Sequence, residues 1–217
     1  MGERHATRTS YDAIAADYAA NLSRELDGKP LDRALLNAFA ESCAGGVIAD
    51  VGAGPGHVAG YLARGGASVV SSDLSPRMCA LARDQQGMAA FASDMCALPV
   101  QGGALAGVVC LYAVIHLDDA SRIRAYAEFA RVLRPGGRAL ISFHTSDAET
   151  PQGGAKRAEE MMGHHVELTF RFLDPERETH LLTTAGLVTF ARTDRAPYPE
   201  VEHPSHRTYL LCTRAGR

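Results

Sequence analysis

Five apolar runs recur along the middle of the chain: "VIADV" (47–51), "SVVSSD" (68–73), "MAAFAS" (88–93), "LAGVVCLY" (105–112) and "RALISFH" (138–144). Strands so uniformly apolar are buried on both faces, which calls for a parallel sheet covered by helices on each side. The intervening periodicity supplies the helices. One follows a glycine turn and runs to about Arg64, one starts at Ser75-Pro76 and runs through Arg83, and one spans about Asp119 to Leu133. Arg134-Pro135-Gly136-Gly137 reads as the turn that ends the last of these. Ahead of the first strand, residues 10–22 place Tyr11, Ile14, Ala15, Tyr18 and Leu22 on one helical face, with Ser10 as N-cap. A second helix starts at Pro30 and stops near Gly45-Gly46. After the fifth strand, residues 145–165 are polar, glycine-containing and irregular, and "VELTFRF" (166–172) alternates like a strand. Asp174-Pro175 opens a helix that ends at Ala185-Gly186. "LVTFARTD" (187–194) and "RTYLLCT" (207–213) then read as an antiparallel pair on the sheet's edge.

Bulk properties narrow the class. A chain of 217 residues fits one domain with a small lid, and 46% hydrophobic content supplies its core. The net charge of −3 provides no basic field for a phosphate backbone, so no nucleic-acid partner is expected. Five cysteines, none in a C-x-x-C pair, read as buried thiols in a reducing compartment, not as disulfides or a zinc site. With no membrane-length apolar run and no signal-like leader, the expectation is a cytoplasmic protein without a membrane partner. His164-His165 has no third ligand at fitting spacing, so no metal site is expected there.

The first apolar run leads directly into Gly52-Ala53-Gly54-Pro55-Gly56, a G-x-G-x-G that lacks the last glycine of the dinucleotide fingerprint, where His57 stands. Three glycines there imply unusual dihedrals, close approach of a ligand to the backbone, or simply a tight turn. Asp73 ends the second strand 17 residues after Gly56, where a carboxylate can accept from both ribose hydroxyls. Asp94 follows the third strand. Adjacent strand ends in a parallel sheet share one crevice, so Asp50, Asp73 and Asp94 are expected to converge. Three acids suit a ligand with a ribose, an exocyclic amine and positive charge better than a pyrophosphate.

In these motifs the chain resembles the class I S-adenosylmethionine-dependent methyltransferases that act mostly on small molecules. "VIADVGAGPGHVAGYLA" is similar to the family's first motif and "SSDLS" to the second. "SDMCALPVQGGALAGVVCLYAVIHL" is similar to the third and fourth, and "RVLRPGGRALISFH" to the segment entering the fifth strand. Val100 and Ala104-Leu105-Ala106 depart from the pattern in a loop concerned with packing. The resemblance implies a Rossmann-like, doubly wound, mostly parallel seven-stranded α/β sheet with an antiparallel C-terminal hairpin strand. Residues 1–46 would be N-terminal helices capping the cofactor site, and 47–217 the core, with a lid or substrate excursion at about 145–172. It also implies S-adenosylmethionine as cofactor, S-adenosylhomocysteine as product and a small-molecule acceptor, the chain being a monomer or homodimer. Gly52, Gly54 and Gly56 would bring backbone against the methionine part, with Asp50 nearby. Asp73 would hold the ribose, Leu74 and Met95 the two faces of adenine, and Asp94 its amino group. Leu111 would offer a carbonyl to the methionine amine, and Tyr11 and Tyr18 would close over the cofactor or pack as core.

Methyl transfer from a sulfonium is an in-line displacement that depends mainly on positioning; a base is needed only for a protonated acceptor. His116 and His144 follow the fourth and fifth strands, and His116 is the nominated base. Met161, Met162, Phe170 and Phe172 read as an apolar acceptor pocket, with His203, His206 and Arg207 placed near its mouth. Two alternatives share the fold: a cofactor-binding protein without transfer, and an NAD-dependent oxidoreductase.

Overall fold

The computed structural model describes residues 2–216. Its sheet contains β1 (Val47–Val51), β2 (Ser68–Asp73), β3 (Ala89–Ala92), β4 (Leu105–Leu111), β5 (Leu133–Ser146), β8 (Leu187–Arg195) and β9 (His206–Arg214). The order is β3-β2-β1-β4-β5-β9-β8, with β1 to β5 parallel and β9 antiparallel to both of its neighbours. This is the Rossmann-like seven-stranded sheet implied by the sequence. The strand order reverses between β1 and β4, which opens a crevice at their carboxyl ends.

Two cores form because the central strands are apolar on both faces. On one face Tyr126 and Phe129 of α5 (Asp119–Val132) and Leu182 of α6 (Pro175–Thr184) pack on Val108, Cys110 and Ile141. On the other, Leu36 and Phe39 of α2 (Pro30–Ser42) and Val58 and Leu62 of α3 (His57–Arg64) pack on Ile48, Val109 and Leu140. The remaining helix on the sheet, α4 (Pro76–Gln86), is capped by Ser75, whose Oγ accepts from the Met78 amide. No helix among the described residues is long and apolar enough to cross a membrane.

Four details differ from the sequence reading, each for a local reason. The first helix, α1, runs Glu3–Leu22, so Ser10 lies inside it; the Ser10 Oγ accepts from the Glu167 amide at 2.8 Å and ties the helix to a strand. Of the two N-terminal helices only α1 covers the crevice; α2 is a core helix, because Leu36 and Phe39 are buried against the sheet. The Arg134–Gly137 turn is absorbed into β5 as an irregularity, since Leu105 pairs with Leu133 and Gly107 next pairs with Arg138. The excursion is not irregular: β6 (Ala155–Met161) and β7 (His164–Arg171) form an antiparallel hairpin. Its two-residue turn, Met162-Gly163, has positive φ at both positions (54° and 78°), the primed turn that matches strand twist. Lys156, Arg157, Glu159 and Glu160 disguise β6 as a polar loop in the sequence. Val166 and Leu168 of this hairpin pack on Ile14 of α1, with Tyr11, Tyr18, Met161 and Phe170 around them. Helix and hairpin thus form one roof.

Candidate active site

Beneath that roof, at the carboxyl ends of β1 to β5, lies a cavity of about 480 Å³. The glycine loop forms part of its wall. Gly52, Gly54 and Gly56 all have positive φ (72°, 54° and 78°), the conformation that glycine alone adopts without strain. A Cβ on Gly52 would lie 2.3 Å from the Ala113 Cβ, and one on Gly56 would lie 2.8 Å from that of Ala82. Gly52 and Gly54 line the cavity, whereas Gly56 packs away from it against α4. Gly56 therefore serves the turn into α3 and stands outside the expected ligand wall.

The three acids do converge on the cavity, and each is already held. Asp50, 2% exposed, accepts from the Ala59 amide at 3.0 Å, so the anion at the start of α3 is the chain's own carboxylate. Burial raises its carboxyl to about 7, against the pull of His57 and that amide. Asp73 accepts from the Gly54 and Ser75 amides, each at 2.8 Å, one on each oxygen. Burial raises its carboxyl too, with the two amides opposing. Each oxygen retains acceptor capacity for a hydroxyl. Asp94 accepts from the Cys96 amide at 3.0 Å and pairs with Arg4 of α1, 90 residues away in sequence. Leu74, Met95 and Leu111 line the same wall.

Tyr11 and Tyr18 reach down from α1, edge to face at 5.9 Å, and both line the cavity. Burial, followed by the neighbouring charges, raises both hydroxyls well above the usual tyrosine value, so they are donors at neutral pH. Tyr11 Oη lies 2.7 Å from His116 Nε2, and His116 Nδ1 lies 3.0 Å from the Thr169 carbonyl of β7. A carbonyl accepts only, so Nδ1 carries the proton and Tyr11 donates to Nε2. His116 thus spends both nitrogens joining α1, the loop after β4 and the hairpin. Burial pulls it down to about 4, keeping it neutral.

His144 faces the cavity from the end of β5, stacked on Tyr112 at 5.0 Å, with Nδ1 2.7 Å from Ser205 Oγ. Tyr112 adopts φ 57°, an uncommon conformation for a residue with a Cβ, and its ring forms the floor beneath His144. Met161, Phe170, Phe172, His203 and Arg207 also line this end. Met162 occupies the hairpin turn and is absent from the lining, and His206 faces a second, smaller cavity. His164 bonds to Asp17 at 2.8 Å; among the described residues no group of three or more His, Cys, Asp or Glu is arranged to hold a metal.

Several lining residues carried no sequence signal. Glu25 and Lys29, from the segment joining α1 to α2, meet His57 and Glu202 here. Burial works to raise the Glu25 carboxyl, but the bonds from His57 and Lys29 outweigh it and hold it at about 2.

The buried histidines set a pH dependence. Burial lowers His116 to about 4 and His144 to about 3, from an ordinary value of 6.5. Between those limits the unfolded chain binds protons that the folded chain refuses, so stability falls as pH drops below 6.5. Asp50 and Asp73 act in the opposite sense, their raised carboxyls favouring the folded chain as pH falls, while Glu25 and Glu202, held at about 2, act with the histidines at the acid end. The melting temperature of the wild type is expected to fall on acidification through this window, and that of the His116→Asn, His144→Asn double variant to fall less. Parallel curves would contradict this assignment.

Residues 48–137 match the family model of the methyltransferase domain. The tRNA (carboxymethyluridine(34)-5-O)-methyltransferase ALKBH8 of Macaca fascicularis is 34% identical over 98 residues, covering 45% of this chain and 14% of that protein. Methyltransferase GfsG of Streptomyces halstedii is 36% identical over 107 residues, 46% of this chain and 38% of that protein. The matches therefore span well under half the length of these relatives. The structure of the DhpI-SAH complex superposes over 100% of this chain and 98% of its own, with a TM-score of 0.73 and 22% identity, which speaks for the fold. The strand, glycine loop and acid series are thus the part of the chain similar to the methyltransferase-domain family, and the order of its whole sheet gives it the fold of the DhpI-SAH complex.

Proposed function

We propose that the chain transfers a methyl group from S-adenosylmethionine to a small-molecule acceptor. The observation that carries this reading is the roofed cavity: Asp50, Asp73 and Asp94 at one end, an aromatic and methionine-lined chamber at the other, within a volume ordinary for small ligands. S-adenosylmethionine carries a ribose and a sulfonium, which suit the carboxylate end. Asp73 would accept from the ribose hydroxyls, Asp94 from the adenine amine, and Leu74 and Met95 would flank the ring. The Gly52–Gly54 backbone and the Leu111 carbonyl would meet the methionine part. With the cofactor so held, its methyl would point into the chamber under the hairpin, and displacement needs only that the acceptor atom lie in line.

His116 acts here through Tyr11, as a positioning residue. Its fixed tautomer orients the Tyr11 hydroxyl and locks roof to floor. His116→Ala is expected to lower kcat by roughly 10–100-fold, the scale of a small misplacement, with little change in S-adenosylhomocysteine affinity. Tyr11→Phe is expected to reproduce most of that loss, and the double variant to add little, because both remove one unit. Additive losses would make His116 an independent base.

The acceptor class is tested by supplying the chain and cofactor with either the small-metabolite fraction of a cell extract or purified total tRNA. S-adenosylhomocysteine is expected to form with the first alone. Formation with tRNA alone would overturn the small-molecule reading.

A further inference from the structure

The cavity is electrically polarised beyond what holding a cofactor requires. Around Asp50, Asp73 and Asp94 the lining cation is Arg4. At the hairpin end the cations are Lys156, Arg157 and Arg207, with Lys29 bridging Glu202 to Glu25, which itself binds His57 beside the glycine loop. Buried groups at each end register the difference. After burial itself, Arg207, His203 and Lys29 all disfavour protonation of His144, with Glu202 opposing. At the other end, after burial, the charges of Glu25 and Asp73 raise the Tyr18 hydroxyl, and those of Tyr18 and Asp73 raise that of Tyr11.

Arg207 is the central feature of the cationic end. It is 2% exposed, and its terminal nitrogens donate to the Ser205 carbonyl at 2.6 Å and the His203 carbonyl at 2.8 Å, with Glu202 at 3.1 Å. Its Nε–H has no acceptor among the described residues, a costly state for a buried donor on a cation. Lys156 pairs with Asp147 and Glu149 at the rim. The Arg157 side chain has no hydrogen bond or ion pair among the described residues, although it lines the same cavity.

We infer that the acceptor carries an anionic group, a carboxylate or a phosphate, received by Arg207 within the cavity and by Arg157 and Lys156 at its mouth. The apolar body of such a molecule lies along Met161, Phe170 and Phe172, and its charge complements both the cationic wall and the sulfonium beside the carboxylates. The inference rests on the methyl-transfer reading, which assigns the acidic end to the cofactor.

The test uses the full chain saturated with S-adenosylhomocysteine and measures, by calorimetry, binding of benzoate and phenyl phosphate against their neutral counterparts benzamide and phenol. At least one anion is expected to bind roughly tenfold more tightly than its counterpart, the scale of one charge-assisted hydrogen bond, and the preferred anion names the group. Arg207→Gln and Arg157→Gln are each expected to remove most of that preference without changing binding of the neutral probe or of S-adenosylhomocysteine. Arg157 is exposed, so its variant reports even where the Arg207 variant fails to fold. Equal binding of anion and neutral probe, including no binding of any, overturns the inference, as does a preference that survives the Arg157 substitution. S-adenosylhomocysteine affinity is measured first; its absence overturns the cofactor reading instead, and the anion preference is then read on the empty chain.

Discussion

Asp73→Ala is expected to weaken S-adenosylhomocysteine binding by about 100-fold or more, because two hydrogen bonds to one carboxylate are lost, each worth roughly 1.5–3 kcal/mol. The same carboxylate also holds the Gly54 and Ser75 amides, so the glycine loop loses its anchor on β2. The fold survives, since burial already works against the charged form of this side chain. Asp73→Asn keeps one acceptor oxygen and is expected to fall between the two. Calorimetric titration measures the affinity and circular dichroism the fold. An unchanged affinity in a folded Asp73→Ala chain would remove Asp73 from the cofactor site.

Gly52→Ala carries the second large effect, this time on the scaffold. A side chain at φ 72° costs roughly 1–2 kcal/mol, and overpacking against Ala113 costs roughly 1–3 kcal/mol more. At roughly 2–4 °C per kcal/mol for a chain of this size, the melting temperature is expected to drop by about 4 to 20 °C. The displaced loop would also lose the cofactor. Ala113→Gly removes the group that the new Cβ would strike and leaves the dihedral penalty, so the double variant is expected to recover part of the stability. A Gly52→Ala chain as stable as wild type, or no recovery on adding Ala113→Gly, would mean the loop yields more readily than its geometry implies.

The parts legible in the sequence are those where local pattern and tertiary role coincide. β1 and β4 are apolar on both faces, and β2, half of it serine, ends on an acid, so their limits can be read almost to the residue. The convergence of Asp50, Asp73 and Asp94 follows from parallel topology alone. The hairpin was hidden, because β6 faces solvent with charged residues and its primed turn is built on Met162-Gly163 and lacks the usual asparagine or aspartate. Contacts between distant segments were hidden as well. Arg4 with Asp94, Lys29 with Glu202, and the two partners of His116 arise only once α1 and the hairpin close over the sheet. For His116 the sequence supplied a position facing the crevice; its protonation and its partners are properties of the assembled roof.

The most direct test of the central claim is a pair of thermal-shift titrations of the full chain, one with S-adenosylhomocysteine and one with NAD. Ligand at 100 times its dissociation constant adds about 2.7 kcal/mol to stability, a rise of several degrees here. The carboxylate-lined cavity predicts a rise with S-adenosylhomocysteine and none with NAD. A rise with NAD alone would contradict it.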